Sequence, residues 1–334
     1  MNTTDTSTQD PLLRVEDLVV QYPTDAGTVH AVSGVTFDVH RGETLGIVGE
    51  SGSGKSTLLR ALLRLTPHTG GSVRYRDTVL TDLGEEPMRR LRPSLQMIMQ
   101  DPIASLNPRR KVRDIVAEGL RIWPDRVTTS VEEQVAAGLD AVGMDIGIVG
   151  DRRPGSFSGG QCQRIAIARA LALRPDVLFC DEPVSALDVS VQARVLNLVH
   201  DAKEALGLTV LFVSHDLGVV KSVSDRVMVM YLGRICEIAP VEEIYESPAH
   251  PYTNLLLSSA PGSHRPAPPD LTGETPSPLD PPSGCRFRTR CPLAQERCAA
   301  QAPPLRALPG GRGVACHFPL VTEDRDEAEA GATS

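Results

Sequence analysis

One stretch constrains this chain more than any other: "GESGSGKST", residues 49–57. It fits G-x-x-x-x-G-K-[ST], with Gly49, Gly54, Lys55 and Ser56 at the fixed positions. Glycines let the backbone turn tightly enough for its N–H groups to face phosphate oxygens, and the N-terminus of a following helix adds partial positive charge. Such a loop needs a strand before it and a helix after it. Both are legible, as the apolar run "TLGIVG" (44–49) and the helically spaced "TLLRALLRL" (57–65). In that setting Lys55 reaches the β- and γ-phosphates of a nucleotide and the Ser56 hydroxyl coordinates Mg²⁺. Glu50, Ser51, Gly52, Ser53 and Thr57 complete the cradle.

The chain around the loop reads as an α/β layer fold. Residues 95–99, 176–181 and 208–214 are near-continuous apolar runs, the pattern of a parallel sheet buried on both faces. Residues 11–40 and 71–80 read as flanking strands. "RDIVAEGL" (113–120) and "VEEQVAAGLDAVG" (131–143) carry helical spacing and predict an inserted helical subdomain, about 101–157.

Two further stretches carry chemistry. "VLFCDE" (177–182) is an apolar strand ending in two carboxylates. Asp181 suits a Mg²⁺ shell, and Glu182 suits orientation or deprotonation of an attacking water. "SFSGGQCQR" (156–164) precedes the helical run "IAIARALAL", and Ser158 ahead of two glycines permits close backbone approach to an anion at a helix start.

A formal net charge of −8 argues against a nucleic-acid binder that relies on a broad basic face. The N-terminus "MNTTDTSTQD" lacks the basic and apolar regions of a signal peptide, and no apolar run approaches the roughly 20 residues of a spanning helix. The expectation is a cytoplasmic chain whose membrane role comes through partners.

Residues 11–240 resemble the ATP-binding subunit of ABC transporters. "SGGQ" (Ser158, Gly159, Gly160, Gln161) matches that family's signature, and "SALD", ending in Asp188, its D-loop. Gln100 matches the Q-loop glutamine, His215 the switch histidine, and Tyr22 the aromatic that stacks on adenine. The resemblance implies a P-loop NTPase (RecA-like) core with an antiparallel β subdomain, over about residues 11–260. It implies a head-to-tail dimer in which ATP lies between one subunit's phosphate loop and the other's signature. The chain carries one of each, so a second ATPase subunit, homologous or identical, is expected. Gln100 then senses Mg²⁺ beside Ser56 and Asp181, while Lys55, Glu182 and His215 form the catalytic set.

"QDPIASLNPR" (100–109), "SPAHPYTNLLLSSAP" (247–261) and "GETPSPLDPPSGCRFRTRCPLA" (273–294) narrow the resemblance to dipeptide/oligopeptide permease ATPases, a group that also serves nickel and other small solutes. It implies two transmembrane permease subunits, an extracytoplasmic solute-binding protein and a peripheral place on the cytoplasmic face of the inner membrane. A soluble ABC ATPase acting on ribosomes or DNA, and an iron–sulfur regulator, are the readings it displaces. The first usually carries two cassettes or a long coiled-coil insertion, and the second a recognisable effector module.

The end of the chain differs in composition. Residues 261–284 hold eight prolines and predict an extended connector; the last residues, 319–334, predict an acidic tail, and residues 1–10 a disordered start. Cys162, Cys180 and Cys236 sit singly in apolar contexts and read as buried, inert thiols. Cys285, Cys291, Cys298 and Cys316 fall within a cysteine-rich segment, 285–318, whose spacing leaves tetrahedral Zn²⁺ and a [4Fe–4S] cluster both open. The permease resemblance favours the cluster. A segment so short and proline-rich buries little core of its own, so a metal centre is expected to supply its stability, apart from the phosphate cradle.

Overall fold

The computed structural model describes residues 10–185, 187–260, 265 and 274–321. In chain order the elements are β1 (Leu13–Thr24), β2 (Gly27–Val39), β3 (Thr44–Val48), α1 (Lys55–Leu62), β4 (Gly70–Tyr75), β5 (Thr78–Val79), α2 (Glu85–Leu91), β6 (Leu95–Ile98), α3 (Val112–Ile122), α4 (Val131–Asp140), α5 (Ile146–Val149) and α6 (Gly159–Leu171). They continue with β7 (Val177–Asp181), α7 (Val189–Leu206), β8 (Thr209–Val213), α8 (Leu217–Val223), β9 (Arg226–Tyr231), β10 (Arg234–Pro240), α9 (Val241–Glu246), α10 (Pro251–Ser258), α11 (Glu296–Ala300), β11 (Arg306–Leu308) and β12 (Arg312–Val314). The chain divides into two compact units, one built mainly from residues 39–44 and 82–214, the other from 13–38, 45–81 and the described residues from 215 onward.

In the first unit β6, β7 and β8 run parallel, with Leu95 opposite Val177 and Val177 opposite Thr209. Every residue of β7 and β8 is buried, as the uninterrupted apolar runs predict. The expected helical insertion is present. α3 buries Val112, Ile115, Val116 and Leu120, a three-and-four spacing that places one stripe against α4 and α6. Ser130 caps α4, its hydroxyl accepting from the Glu133 N–H at 3.2 Å while the Glu133 carboxylate accepts from the Ser130 N–H at 3.1 Å. Buried Gln134 is satisfied on both ends of its amide. It donates to Arg126 O at 3.0 Å and Ala172 O at 2.7 Å, and accepts from the Thr128 N–H at 3.0 Å.

The second unit carries an antiparallel sheet in the order β2-β1-β4-β5 and a second sheet in the order β11-β12-β10-β9-β3. β3 and β9 are parallel, with Ile47 opposite Met228; β10 turns back against β9. The C-terminal hairpin then adds to β10, pairing Glu237 with Val314 and Ile238 with Gly313. The cysteine-rich segment is therefore built onto the same sheet that leads into the phosphate loop, in place of the separately stabilised module anticipated from composition.

It also borrows a core. Phe287, 1% exposed, sits 5.4 Å from the Tyr231 ring and 5.2 Å from the Tyr252 ring, centroid to centroid. Ala249, Val314 and Val321 form a small apolar cluster beneath Leu308 and Cys316. Leu320 N donates to Ala249 O at 2.8 Å, so packed chain continues to residue 321. The connector is fastened where it is described, His30 N donating to Pro278 O at 2.9 Å. Residues 1–9, 261–264, 266–273 and 322–334, which include most of the expected disordered start, connector and acidic tail, lie outside the described residues. Among the described residues no helix is long and apolar enough to cross a membrane.

At the start of α10 a buried imidazole makes the fold pH-sensitive. His250 is 2% exposed, and its Nδ1 accepts from the Tyr252 N–H at 3.0 Å. Burial drives its pKa down to about 3, against a smaller opposing effect of its bond to the Ala315 backbone. A histidine held neutral in the fold stabilises it above the unfolded pKa, and that stability is lost as pH falls from about 6.5 toward the folded value. Between pH 7.5 and 5.5 the wild type should lose about 1.4 kcal/mol more than His250→Asn, whose side-chain oxygen can accept the same N–H without titrating. Denaturant midpoints for the two proteins at both pH values test this; parallel pH profiles would sink it.

Candidate functional site

The phosphate loop lies in the second unit, between β3 and α1. Two of its glycines are obligatory. A Cβ on Gly49, at φ 153°, would stand 2.2 Å from Met230 O, and one on Gly54, at φ 101°, 2.2 Å from Ala31 O. Lys55 is 6% exposed and folds back over its own loop, Nζ donating to Gly49 O at 2.8 Å, Glu50 O at 3.0 Å and Ser53 Oγ at 3.3 Å. The loop is thus wrapped around a cation, the form a phosphate cradle takes around its lysine. Ser56 and Thr57 are half-buried in the first turn of α1, while Ser51 and Gly52 are exposed. The donor set fits a nucleotide phosphate with Mg²⁺ held at Ser56.

Glu50 is held on three sides. Its N–H donates to Tyr252 Oη at 2.9 Å, and its carboxylate accepts from Thr275 Oγ1 at 2.6 Å and Arg290 Nη1 at 2.8 Å. Burial raises its pKa, but the bonds from Arg290 and Thr275 and the charges of Arg290 and Lys55 together carry it below the ordinary carboxylate value. Tyr22 is half-buried on β1, and His215 is exposed just ahead of α8, whose N-cap Asp216 accepts from Gly218 N at 2.8 Å.

The other residues expected to act on the nucleotide lie in the first unit. Asp181 ends β7 fully buried. Glu182 follows at φ 48°, a left-handed conformation that costs a residue with a side chain roughly 1–2 kcal/mol. It is fixed there by Glu182 N donating to Val213 O at 3.0 Å and by the Ser185 hydroxyl donating to Glu182 O at 3.1 Å. Gln100 Nε2 donates to Glu182 Oε2 at 3.2 Å, so the structure brings the Q-loop amide to the second carboxylate.

Ser158 caps α6 in a reciprocal box. Its hydroxyl accepts from Gln161 N at 3.3 Å, and Gln161 Oε1 accepts from Ser158 N at 2.9 Å. Gly160 is required within the chain, since a Cβ there would meet Val191 at 2.5 Å; at Gly159 a Cβ meets nothing within 4 Å. Asp188 caps α7, accepting from Ser190 Oγ at 2.7 Å and Val191 N at 3.0 Å, and these bonds lower its pKa. Cys162, for which sequence offers no role, is 1% exposed with Sγ 3.6 Å from Pro154 O, a weak bond closing the loop before the signature.

In the cysteine segment the thiols act on one another. Burial pushes Cys316 up to about 12, the N–H of Phe318 opposes this, and the thiols of Cys285, Cys291 and Cys298 add to it. Burial likewise raises Cys285 and Cys291, against N–H groups of Phe287 and Arg288 at the first and of Leu293 at the second. Backbone donors directed at sulfur favour the thiolate, the ligand form. Even so, among the described residues no three or more His, Cys, Asp or Glu side chains are arranged to hold a metal ion. The thiols influence one another electrostatically without forming a ligand set. They are joined by one whose neighbours the sequence does not reveal: Cys236, buried on β10, is raised by burial first and then by Cys285, Glu237 and Cys316. Only the pairing of β10 with β12 could have revealed that neighbourhood.

Residues 32–185 match the family described as ABC transporter, and residues 236–298 the one described as Oligopeptide/dipeptide transporter, C-terminal region. Oligopeptide transport ATP-binding protein OppF of Escherichia coli (strain K12) is 47% identical over 313 residues, covering 88% of this chain and 92% of its own. YkfD of Bacillus subtilis (strain 168) is 50% identical over 332 residues, covering 95% and 98%. Among solved structures, the ATP-binding cassette MJ0796, a dimer in a post-hydrolysis state bound to ADP and Pi, is similar at a TM-score of 0.63 and 27% identity over 69% of this chain and 98% of that one. CbiO1 of Clostridium perfringens, part of the ABC transporter complex cbiONQ, is similar at 0.63 and 28% identity over 72% of this chain and 92% of that one.

Proposed function

The chain belongs to the ABC transporter ATP-binding family, in its oligopeptide/dipeptide branch, and from that premise we propose that it is the ATP-hydrolysing subunit of a peptide importer. The observation that carries this is the phosphate loop closed on Lys55, in a chain whose C-terminal region is that of the oligopeptide branch. In this reading Lys55 and the loop N–H groups bind the phosphates, and His215 contacts the terminal one. Ser56, Gln100 and Asp181 would hold Mg²⁺, which when bound would neutralise phosphate charge. Glu182 orients the attacking water, and Gln100 steadies its carboxylate. Ser158 through Gln161, with Gly159 open to approach, and Asp188 face the nucleotide of a second ATPase subunit. Two permease subunits carry the chain at the membrane, and a solute-binding protein outside delivers the peptide.

The same reading gives Cys285, Cys291, Cys298 and Cys316 a [4Fe–4S] cluster, with Zn²⁺ as the alternative. Its support is the four-cysteine pattern in a chain of the oligopeptide branch and the Phe318 N–H that donates to Cys316 Sγ at 3.4 Å, although the described residues form no ready ligand set.

One preparation tests both parts. Complex purified anaerobically on this chain should carry two membrane subunits and a second ATPase subunit by mass, and its ATP turnover in lipid should rise with peptide-loaded binding protein. Iron and sulfide should each approach four per chain, about the content of one cubane. Turnover indifferent to peptide would overturn the importer reading. Zinc without iron, or no metal, would overturn the cluster.

A further inference from the structure

A carboxylate inside a phosphate loop is an electrostatic liability, because the ligand it must admit is itself an anion. Glu50 is such a carboxylate, immediately after Gly49. Two groups from the far end of the chain manage it: Arg290 Nη1 at 2.8 Å and Thr275 Oγ1 at 2.6 Å, both on Glu50 Oε2. Arg290 also donates to Tyr231 Oη at 3.3 Å, and its guanidinium lies 5.8 Å over that ring. The side chains of Arg290 and Glu50 are 13% and 26% exposed, so the pair is largely shielded from solvent screening.

Arg290 is itself held rigidly. Its N–H donates to Phe287 O at 3.0 Å, and Phe287 packs against both Tyr231 and Tyr252. Next to Phe287, the Arg286 guanidinium is bonded to Leu232 O and, at 2.9 Å, to Ser33 Oγ. The guanidinium is thus a fixed cation aimed at the one acidic side chain of the phosphate loop.

We propose that Arg290 is a positioning residue for nucleotide binding: it neutralises Glu50 and pins it, so that the phosphate loop presents no uncompensated negative charge to ATP. The cysteine-rich segment thereby sets nucleotide affinity. This rests on the nucleotide reading of the loop and extends it to residues that no phosphate-binding motif contains.

The test is nucleotide affinity of the purified full chain, by calorimetry, with Lys55→Ala as the non-binding control. Arg290→Met should weaken ATP binding roughly tenfold, the equivalent of about 1.4 kcal/mol. ADP binding should weaken less, because fewer charges meet the exposed carboxylate. Adding Glu50→Gln to Arg290→Met should restore most of the lost affinity, a rescue that a purely structural role for Arg290 does not produce. Arg290→Lys should stay within about threefold of wild type, as a retained charge requires. Should Arg290→Met not fold, Arg290→Gln, alone and combined with Glu50→Gln, carries the same test. Equal loss for ATP and ADP, or no rescue by Glu50→Gln, overturns the proposal. Wild-type chain that binds no ATP would instead overturn the nucleotide reading itself.

Discussion

Glu182→Gln is expected to leave ATP bound and almost unhydrolysed. The substitution keeps the side chain's length and its capacity to bond Gln100, which stands 3.2 Å away, while removing the carboxylate proposed to orient and deprotonate water. Losing a positioned general base typically costs 10²–10⁴-fold in rate, and turnover should fall by about that much. The left-handed backbone at Glu182 is unaffected, since Gln pays the same conformational cost, so folding should be unchanged. Phosphate release and nucleotide affinity, measured together in the assembled complex, check the claim. Turnover near wild type would remove Glu182 from the reaction.

The second large effect concerns the fold. Phe287→Ala should destabilise the second unit by roughly 3–5 kcal/mol, the usual cost of deleting a buried aromatic side chain. Phe287 is 1% exposed and packs against the rings of Tyr231 and Tyr252, so its removal leaves a cavity in a buried aromatic cluster. The expected signature is a lowered denaturation midpoint together with early proteolysis between residues 285 and 321. A conservative Phe287→Leu should recover more than half of the loss. Unchanged stability in Phe287→Ala would mean that the cysteine segment is held by something other than its borrowed core.

What could be read from the sequence follows from which signals are local. Strands 44–49, 95–99, 176–181 and 208–214 were legible to within a residue or so of β3, β6, β7 and β8, because strands buried on both faces are uninterrupted apolar runs. The phosphate loop and the helix start at Ser158 were legible because each is a contiguous pattern tied to one backbone shape, whereas the reciprocal Ser158–Gln161 box emerges only in the structure. The β11–β12 hairpin was not, since three-residue strands are too short to show alternation. Nor was the neighbourhood of Cys236, or the reach of Arg290 to Glu50. Both depend on tertiary pairing between segments that share no local pattern.

The bond from Arg290 to Glu50 closes a loop of 240 residues. Ribosomes extend a chain at about 5–20 residues per second, so Glu50 emerges roughly 12–48 seconds before the arginine that neutralises it. Throughout that interval the nascent phosphate loop carries its carboxylate uncovered, and Tyr252, which accepts the Glu50 N–H, arrives only shortly before Arg290. On the proposed role of Arg290, the half-made protein therefore binds ATP more weakly than the finished chain. Full affinity then arrives with the last fifty residues, and a chain truncated before Arg290 competes for nucleotide at about the tenfold disadvantage expected of Arg290→Met.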